Sequence, residues 1–194
     1  AAANFAWANR QVMTGLALRA IATALGRSEP SLKARLLYDV CHNIAKRERH
    51  EIDGQSRDVL VHRKGATRAF GPGDPRVPDS YRDVGQPVMI PGDMGRYSFI
   101  LAGSHEAMAS TFGSSCHGAG RILSRTAARK AAKGRRIDAE MRRLGIEVRS
   151  KGYRTLAEEM SEAYKDVADV VDVIHGAGVS RKVARLVPLG VIKG

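Results

Sequence analysis

The chain has 194 residues, 43% hydrophobic and 27% charged, the balance of a water-soluble globular protein long enough to bury a core. No apolar run is long enough to span a bilayer, and Ala1–Phe5 is neither a signal nor a transit peptide, which argues against a membrane protein and for the cytoplasm. Thirty-two Lys and Arg face 20 Asp and Glu, a net charge of +12 with a pI near 10.2, so polyanions, nucleic acid above all, are the favoured partners. Two cysteines, Cys41 and Cys116, are too few for a disulfide framework and suit a reducing compartment.

The first expected element is an amphipathic helix over 2–25, with Phe5, Ala8, Val12, Leu16 and Ala20 at helical spacing. The absence of an initiator Met and an opening inside a helical pattern suggest a fragment or a processed chain. Gly26 is a plausible stop and Ser28-Glu29-Pro30 a turn. Leu36–Val40 and Val59–His62 are apolar runs of strand length. Gly71 to Pro78, with five Gly and Pro, must be a loop. Pro87–Ile90 and Ser98–Ala102 read as strands joined by the tight loop Pro91-Gly92-Asp93-Met94-Gly95. Helices are expected over 104–112, over 119–144 with a break at Gly134, and over 167–177. Val183–Ile192 is the last strand. The class is α+β, mixed sheets with flanking helices, with no βαβ period, no repeat and no internal domain boundary.

Charge is uneven. From Arg121 to Ser150, ten Lys and Arg face only Asp138, Glu140 and Glu147, a local +7. Such a run is either a solvated helix face or a nucleic-acid contact. Trp7, five Tyr and four Phe are scattered, so nucleic-acid contact would run through phosphates rather than stacked bases.

The stretch richest in chemistry is Ser114-Ser115-Cys116-His117-Gly118-Ala119-Gly120-Arg121. Gly118, Ala119 and Gly120 let backbone N–H groups approach a phosphate, and the expected helix directly after them would add positive partial charge. A histidine held there is a metal ligand, an acid/base or a nucleophile toward phosphorus, or else simply a loop residue. His42, after an expected strand and before Asn43, is a structural residue or a ligand. His62 lies in a basic turn suited to phosphates. His50, His105 and His175 fall on polar or helical surfaces and receive no role. No short-range metal motif, Walker loop or dinucleotide fingerprint is present. The Pro91–Gly95 loop with Ser98 could cradle a nucleotide or be only a turn.

These residues, together, resemble a family. Ala6-Trp7-Ala8-Asn9-Arg10-Gln11, Tyr38-Asp39-Val40-Cys41-His42-Asn43, Val61 to Phe70, Gly85 to Gly95, Cys116 to Arg121, Ala163-Tyr164-Lys165-Asp166 and Gly190-Val191-Ile192-Lys193-Gly194 are similar, in order, to the C-terminal part of RtcB-type RNA-splicing ligases. The resemblance implies part of an RtcB-like ligase fold, with residues 1–194 belonging to a single catalytic domain. It implies that His117 attacks the α-phosphate of GTP and carries GMP covalently, and that His42 binds Mn²⁺ with Asn43 touching the nucleotide. Pro91, Gly92, Asp93 and Met94 would line the GMP pocket, Ser98 and Lys193 would reach the guanine, Tyr164 would pack near the base, and Gly118, Ala119 and Gly120 would surround the guanylate. Arg121 and Lys64 would touch phosphates, and the basic run would hold the RNA backbone. The implied reaction opens a 2′,3′-cyclic phosphate to a 3′-phosphate, activates it with GMP, and joins it to a 5′-hydroxyl. Implied partners are RNA (tRNA halves or broken RNAs), the N-terminal half of the same protein, and helper proteins.

Two departures stand out. Many members carry Ser where this chain has Asp93, an acid beside a triphosphate. The family's other metal ligands (an Asp, a Cys and two His) and its Asn-rich nucleotide loop lie in an N-terminal half outside these residues, and neither Cys41 nor Cys116 matches the missing cysteine. The 194 residues alone are therefore expected to bind metal poorly and to be inactive. The rival reading is a non-catalytic basic RNA-binding module. A metal-dependent phosphoesterase would need a denser Asp/His set.

Overall fold

The computed structural model describes residues 2–193. It is an α+β arrangement of six helices and nine strands gathered into four small sheets. Helix α1 (Ala2–Ala24) forms as its periodicity predicts, and a 3-10 turn at Glu29–Leu32 follows Ser28. Its apolar residues are not covered, however: among the described residues only Ala22 is buried, and Phe5, Val12 and Leu16 face outward. The helix is tied instead by Arg10, whose guanidinium donates to Asp39 (2.9 Å) and to Cys41 Sγ (3.2 Å).

That attachment corrects the expected strand at Leu36–Val40. The segment runs without ladder hydrogen bonds beside α1, with Leu36 and Leu37 exposed, and Asp39 serves the ion pair. The first strand begins at Asn43. β1 (Asn43–Ile52) and β2 (Gln55–Lys64) form a long antiparallel hairpin, from Asn43↔Lys64 at its base to Ile52↔Gln55 at its tip. The expected strand at Val59–His62 is the middle of β2. Asp53 and Gly54 turn the chain at φ 52° and 73°, the left-handed pair that a two-residue hairpin needs.

β3 (Ala66–Arg68) pairs antiparallel with β6 (Ser114–Cys116), matching Ala66 to Cys116. β4 (Pro87–Ile90), β5 (Ser98–Gly103) and β8 (Ser180–Leu186) make an antiparallel sheet with β5 central. Val88, Ile90, Phe99 and Leu101 of this sheet are buried with Ala107 of α2 (His105–Thr111) and with Val167 and Val171 of α6 (Val167–Gly176). A second core joins α3 (Arg125–Ala131), α4 (Ile137–Arg143), β7 (Glu147–Ser150) and α5 (Tyr153–Glu158) through Ala128, Ile137, Met141, Val148 and Leu156. The Pro91–Tyr97 loop links the two cores. It leaves the first at Ile90 and returns at Phe99, and it drops Met94 into the second.

Two more expectations need correction. The chain after Gly118 is not helical: Gly120 has φ +77°, and the N–H groups of Ile122 and Leu123 donate to the Ala163 carbonyl (2.9 and 3.2 Å). The helix starts at Arg125, capped by Ser124 Oγ, so no helix N-terminus faces the Gly118–Gly120 loop. The final apolar stretch is two strands rather than one, β8 and β9 (Gly190–Lys193), because Val187-Pro188-Leu189 interrupts the ladder and Pro188 has no N–H to donate. β9 pairs parallel with β7, matching Lys193 to Ser150. No helix among the described residues is long and apolar enough to cross a membrane.

Candidate functional site

Two hairpin ends and one short strand converge on a pair of imidazoles. His42 precedes β1, and its carbonyl accepts from Gly65 N–H (3.0 Å) just past β2. Gly65 precedes β3, whose partner β6 delivers His117. Gly65 takes φ +71°, a conformation glycine adopts without strain, and its Cα faces the His117 ring. The His42 and His117 rings stack, with centroids 4.7 Å apart and planes 14° from parallel.

His117 is half-buried. Burial, and then the neighbouring His42, push its pKa below the ordinary histidine value. At neutral pH the imidazole is uncharged, so a ring lone pair is free to attack an electrophile. Burial raises the pKa of the adjacent Cys116 thiol, which keeps it protonated.

His117 opens onto a cavity of about 470 Å³ lined by Pro91, Gly92, Gly118, Ala119, Gly120, Arg121, Tyr164 and Lys193, among others. A second cavity of about 250 Å³ adjoins it, lined by Asp93, Met94, Ser98, Glu159 and Ile192. Pro91, Gly92, Tyr164 and Lys193 line both, so the two form one groove. Its walls are cross-tied. Ala119 N–H donates to the Pro91 carbonyl (3.3 Å), Lys165 N–H donates to Gly120 O (3.0 Å), and Arg121 and Tyr164 form an isolated β-bridge. The loop is tight at Gly92, where a Cβ would stand 2.0 Å from the Tyr97 carbonyl oxygen and 2.8 Å from Val167 Cγ1. Gly92→Ala is therefore expected to displace the loop, costing about 1–3 kcal/mol. Thermal unfolding of the full-length protein would read this as a lowered midpoint, and an unchanged midpoint would contradict the close approach.

The structure brings most of the expected residues together and reassigns several. Pro91, Gly92, Ser98, Gly118, Ala119, Gly120, Tyr164 and Lys193 all line the groove. His42 and Asn43 line neither cavity, and His42 reaches the site through its stacking on His117. Met94 is 97% buried in the second core, so it anchors the loop. The Asp93 side chain is fully buried and faces inward. It accepts from Gly95 N–H (2.9 Å) and pairs with Arg96 (2.6 Å), which also reaches Asp166 (2.9 Å) and the carbonyls of Ser161 and Tyr164. The acid beside a triphosphate thus becomes a loop-shaping group whose charge is already balanced.

Arg121 also departs from expectation. Its guanidinium donates to Leu123 O, Glu159, Tyr164 Oη and Glu158 O and lies 4.7 Å from the Tyr164 ring centre, which leaves it little capacity for a phosphate. The basic run is similarly engaged. Glu158 pairs with Arg125, Arg129 and Arg154, Asp138 with Arg136 and Arg142, Glu140 and Glu162 with Arg135, and Glu147 with Arg149. Within Arg121–Ser150, only Lys130, Lys133 and Arg143 make no ion pair among the described residues. Lys64, at the hairpin base opposite Asn43, is exposed.

His50 is corrected as well. It is buried, not on a polar surface, and with Glu48 and Arg63 it forms a network behind the site. Sequence reading missed Glu159 too. Nothing in its local pattern marks it, because the two cations it pairs with, Lys193 and Arg121, are 34 and 38 residues away.

Among the described residues, no group of three His, Cys, Asp or Glu side chains is placed to hold a metal ion. The stacked rings of His42 and His117 present faces to each other, so their lone pairs do not converge. A metal at His42 would need donors from outside these residues.

The family model described as tRNA-splicing ligase RtcB matches residues 1–194. Over its full length the chain is 54% identical to proteins named tRNA-splicing ligase RtcB from Archaeoglobus fulgidus and Thermococcus kodakarensis, and spans 40% of each. Against the protein of that name from Pyrococcus furiosus it is 55% identical over 196 aligned residues and spans 20%. The chain therefore covers two fifths or less of these relatives, and it belongs to the tRNA-splicing ligase RtcB family.

Proposed function

We propose that the chain is the guanylate-carrying part of a GTP- and Mn²⁺-dependent RNA ligase. The observation that carries this reading is His117, held uncharged against His42 at the mouth of a glycine-floored groove that Tyr164 and Lys193 also line. A neutral imidazole can form a P–N bond to the α-phosphorus of GTP while the bond to pyrophosphate breaks. Gly118 and Gly120 admit phosphate oxygens close to the backbone. Lys193 offers N–H donors to the base, and Tyr164 a ring to pack near it. Transfer of GMP to an RNA 3′-phosphate then breaks the P–N bond. Attack by a 5′-hydroxyl on that phosphate releases GMP and closes the RNA backbone. A 2′,3′-cyclic phosphate end must first be opened to a 3′-phosphate.

Mn²⁺ belongs to the proposal through His42, which would supply one imidazole, the remaining donors coming from outside these residues. When bound, such an ion offsets phosphate charge. The RNA, whether tRNA halves or broken strands, would be held through exposed cations such as Lys64, Lys130 and Lys133 rather than through the paired arginines.

The test is incubation of the full-length protein, these 194 residues alone, and the two halves mixed, each with α-³²P-labelled GTP and Mn²⁺. Acid-labile label is expected on the full-length protein and on the mixture, and none on the 194 residues alone. GTP should label far better than ATP. Absence of label on the full-length protein, with RNA still bound, would replace the ligase by a binding module.

A further inference from the structure

Glu159 closes helix α5 with a side chain only 18% exposed, facing the groove. One oxygen accepts from Tyr164 Oη (2.5 Å) and pairs with Lys193 Nζ (3.5 Å), and the other accepts from Arg121 (3.2 Å). Burial pushes the carboxyl's pKa up, but the Tyr164 hydrogen bond and the nearby Lys193 and Arg121 outweigh it, and the acid stays ionised. Its charge is thereby balanced by two cations, so it does not repel an anionic ligand as a free carboxylate would.

The partners differ in how else they are fixed. Arg121 is held by three other acceptors, and the Tyr164 hydroxyl also receives a hydrogen bond from Arg121 (2.7 Å). Lys193 has no such support. β9 fixes its backbone against β7, but its ammonium ends a flexible four-carbon stem and has no hydrogen-bond acceptor but Glu159 among the described residues. Yet Lys193 is one of only two side chains other than Pro91 that line both halves of the groove.

We propose that Glu159 is a positioning residue that fixes the Lys193 ammonium, and with it the nucleotide selectivity of the groove. The part concerning the nucleotide rests on the ligase reading above, whereas the hold on Lys193 does not. Glu159 makes no bond to the ligand. It keeps one donor pre-aimed, so that binding does not have to order it.

The experiment uses the full-length protein and its Glu159→Gln, Tyr164→Phe, Lys193→Ala and Glu159→Gln/Lys193→Ala variants. Brief acetylation with an N-hydroxysuccinimide ester, read by peptide mass spectrometry, reports Lys193 without any nucleotide. The reagent needs an amine that is free to meet it, and Glu159 holds this one against the groove wall. Glu159→Gln is expected to raise modification of Lys193 roughly twofold or more relative to Lys130 and Lys133, and Tyr164→Phe to leave it unchanged. Labelling with GTP should then need about tenfold more nucleotide for half-maximal rate in Glu159→Gln, with the saturating rate kept within about threefold. Discrimination against ATP should narrow, and the double variant should match Lys193→Ala, because both changes remove one interaction. Unchanged Lys193 reactivity in Glu159→Gln, or losses that multiply in the double variant, would overturn the proposal. If the unaltered protein takes no label from GTP, the ligase reading falls, and Lys193 reactivity still decides whether Glu159 positions it.

Discussion

His117→Ala in the full-length protein is expected to reduce covalent guanylate to background, a loss of several orders of magnitude. In the proposed reaction this side chain supplies the only covalent bond between protein and nucleotide, and no neighbouring group is placed to take its role. Cys116 is the nearest alternative nucleophile, but burial keeps its thiol protonated, and its side chain packs against the first core. His42 stacks on His117 face to face and lines neither half of the groove. The fold should survive, because His117 is half-buried and belongs to neither core. RNA affinity, measured by filter binding at fixed salt, should stay within about twofold, because the proposal assigns it to cations outside the groove. Label persisting on the variant would move the nucleophile elsewhere, and RNA affinity falling in parallel would mean that the loop shapes the RNA site as well.

How far the site could be read in advance depended on the range of its interactions. The His117 loop, the Pro91–Gly95 loop and strands β4 and β5 are marked locally, by glycines around one histidine and by short apolar runs between turn residues. The hairpin β1–β2 was missed for the opposite reason. Only Val59–His62 of β2 shows as an apolar run; β1, with Lys46, Arg47, Glu48, Arg49 and Glu51, shows neither alternation nor such a run, although Asp53-Gly54 is a strong two-residue turn. The stretch after Gly118 looked helical because Ala, Arg and Lys favour helices. Tertiary hydrogen bonds to Ala163 and the left-handed Gly120 override that propensity for six residues. Net charge misled in a similar way. The run of ten cations is real, but its acidic partners Glu158 and Glu162 lie beyond it in sequence, and only the fold shows that most of the charge is already engaged.

The second large effect is on stability. Arg63 is 2% exposed and spends its donors on Glu48 (2.7 and 2.8 Å), Ser114 Oγ (2.9 Å) and the Phe112 carbonyl (2.7 Å). Glu48 in turn meets buried His50, which stands edge-on to Phe112. This network ties the hairpin to the start of β6, and so sets where His117 stands. Arg63→Met would leave Glu48 buried without its cation, a loss of about 3–5 kcal/mol by urea unfolding at pH 7. The pH dependence separates this from a simple packing loss. Burial raises the Glu48 pKa, but hydrogen bonds from Arg63 and His50 outweigh it and hold the group below its ordinary value. The folded protein therefore binds fewer protons at Glu48 than the unfolded chain. The stability this provides is complete above the unfolded carboxylate pKa and is lost as pH falls through the lower folded one. In Arg63→Met only the burial remains strong, so the folded pKa rises above the unfolded one and the sign reverses. Lowering the pH from 7 to 5 should then recover part of the variant's deficit while leaving the unaltered protein no more stable. A Glu48→Leu/Arg63→Met pair, which buries no charge, should lie within about 2 kcal/mol of the unaltered protein. A double replacement as unstable as Arg63→Met alone would show that the arginine's bonds to Ser114 and Phe112, rather than the ion pair, hold the hairpin to the site.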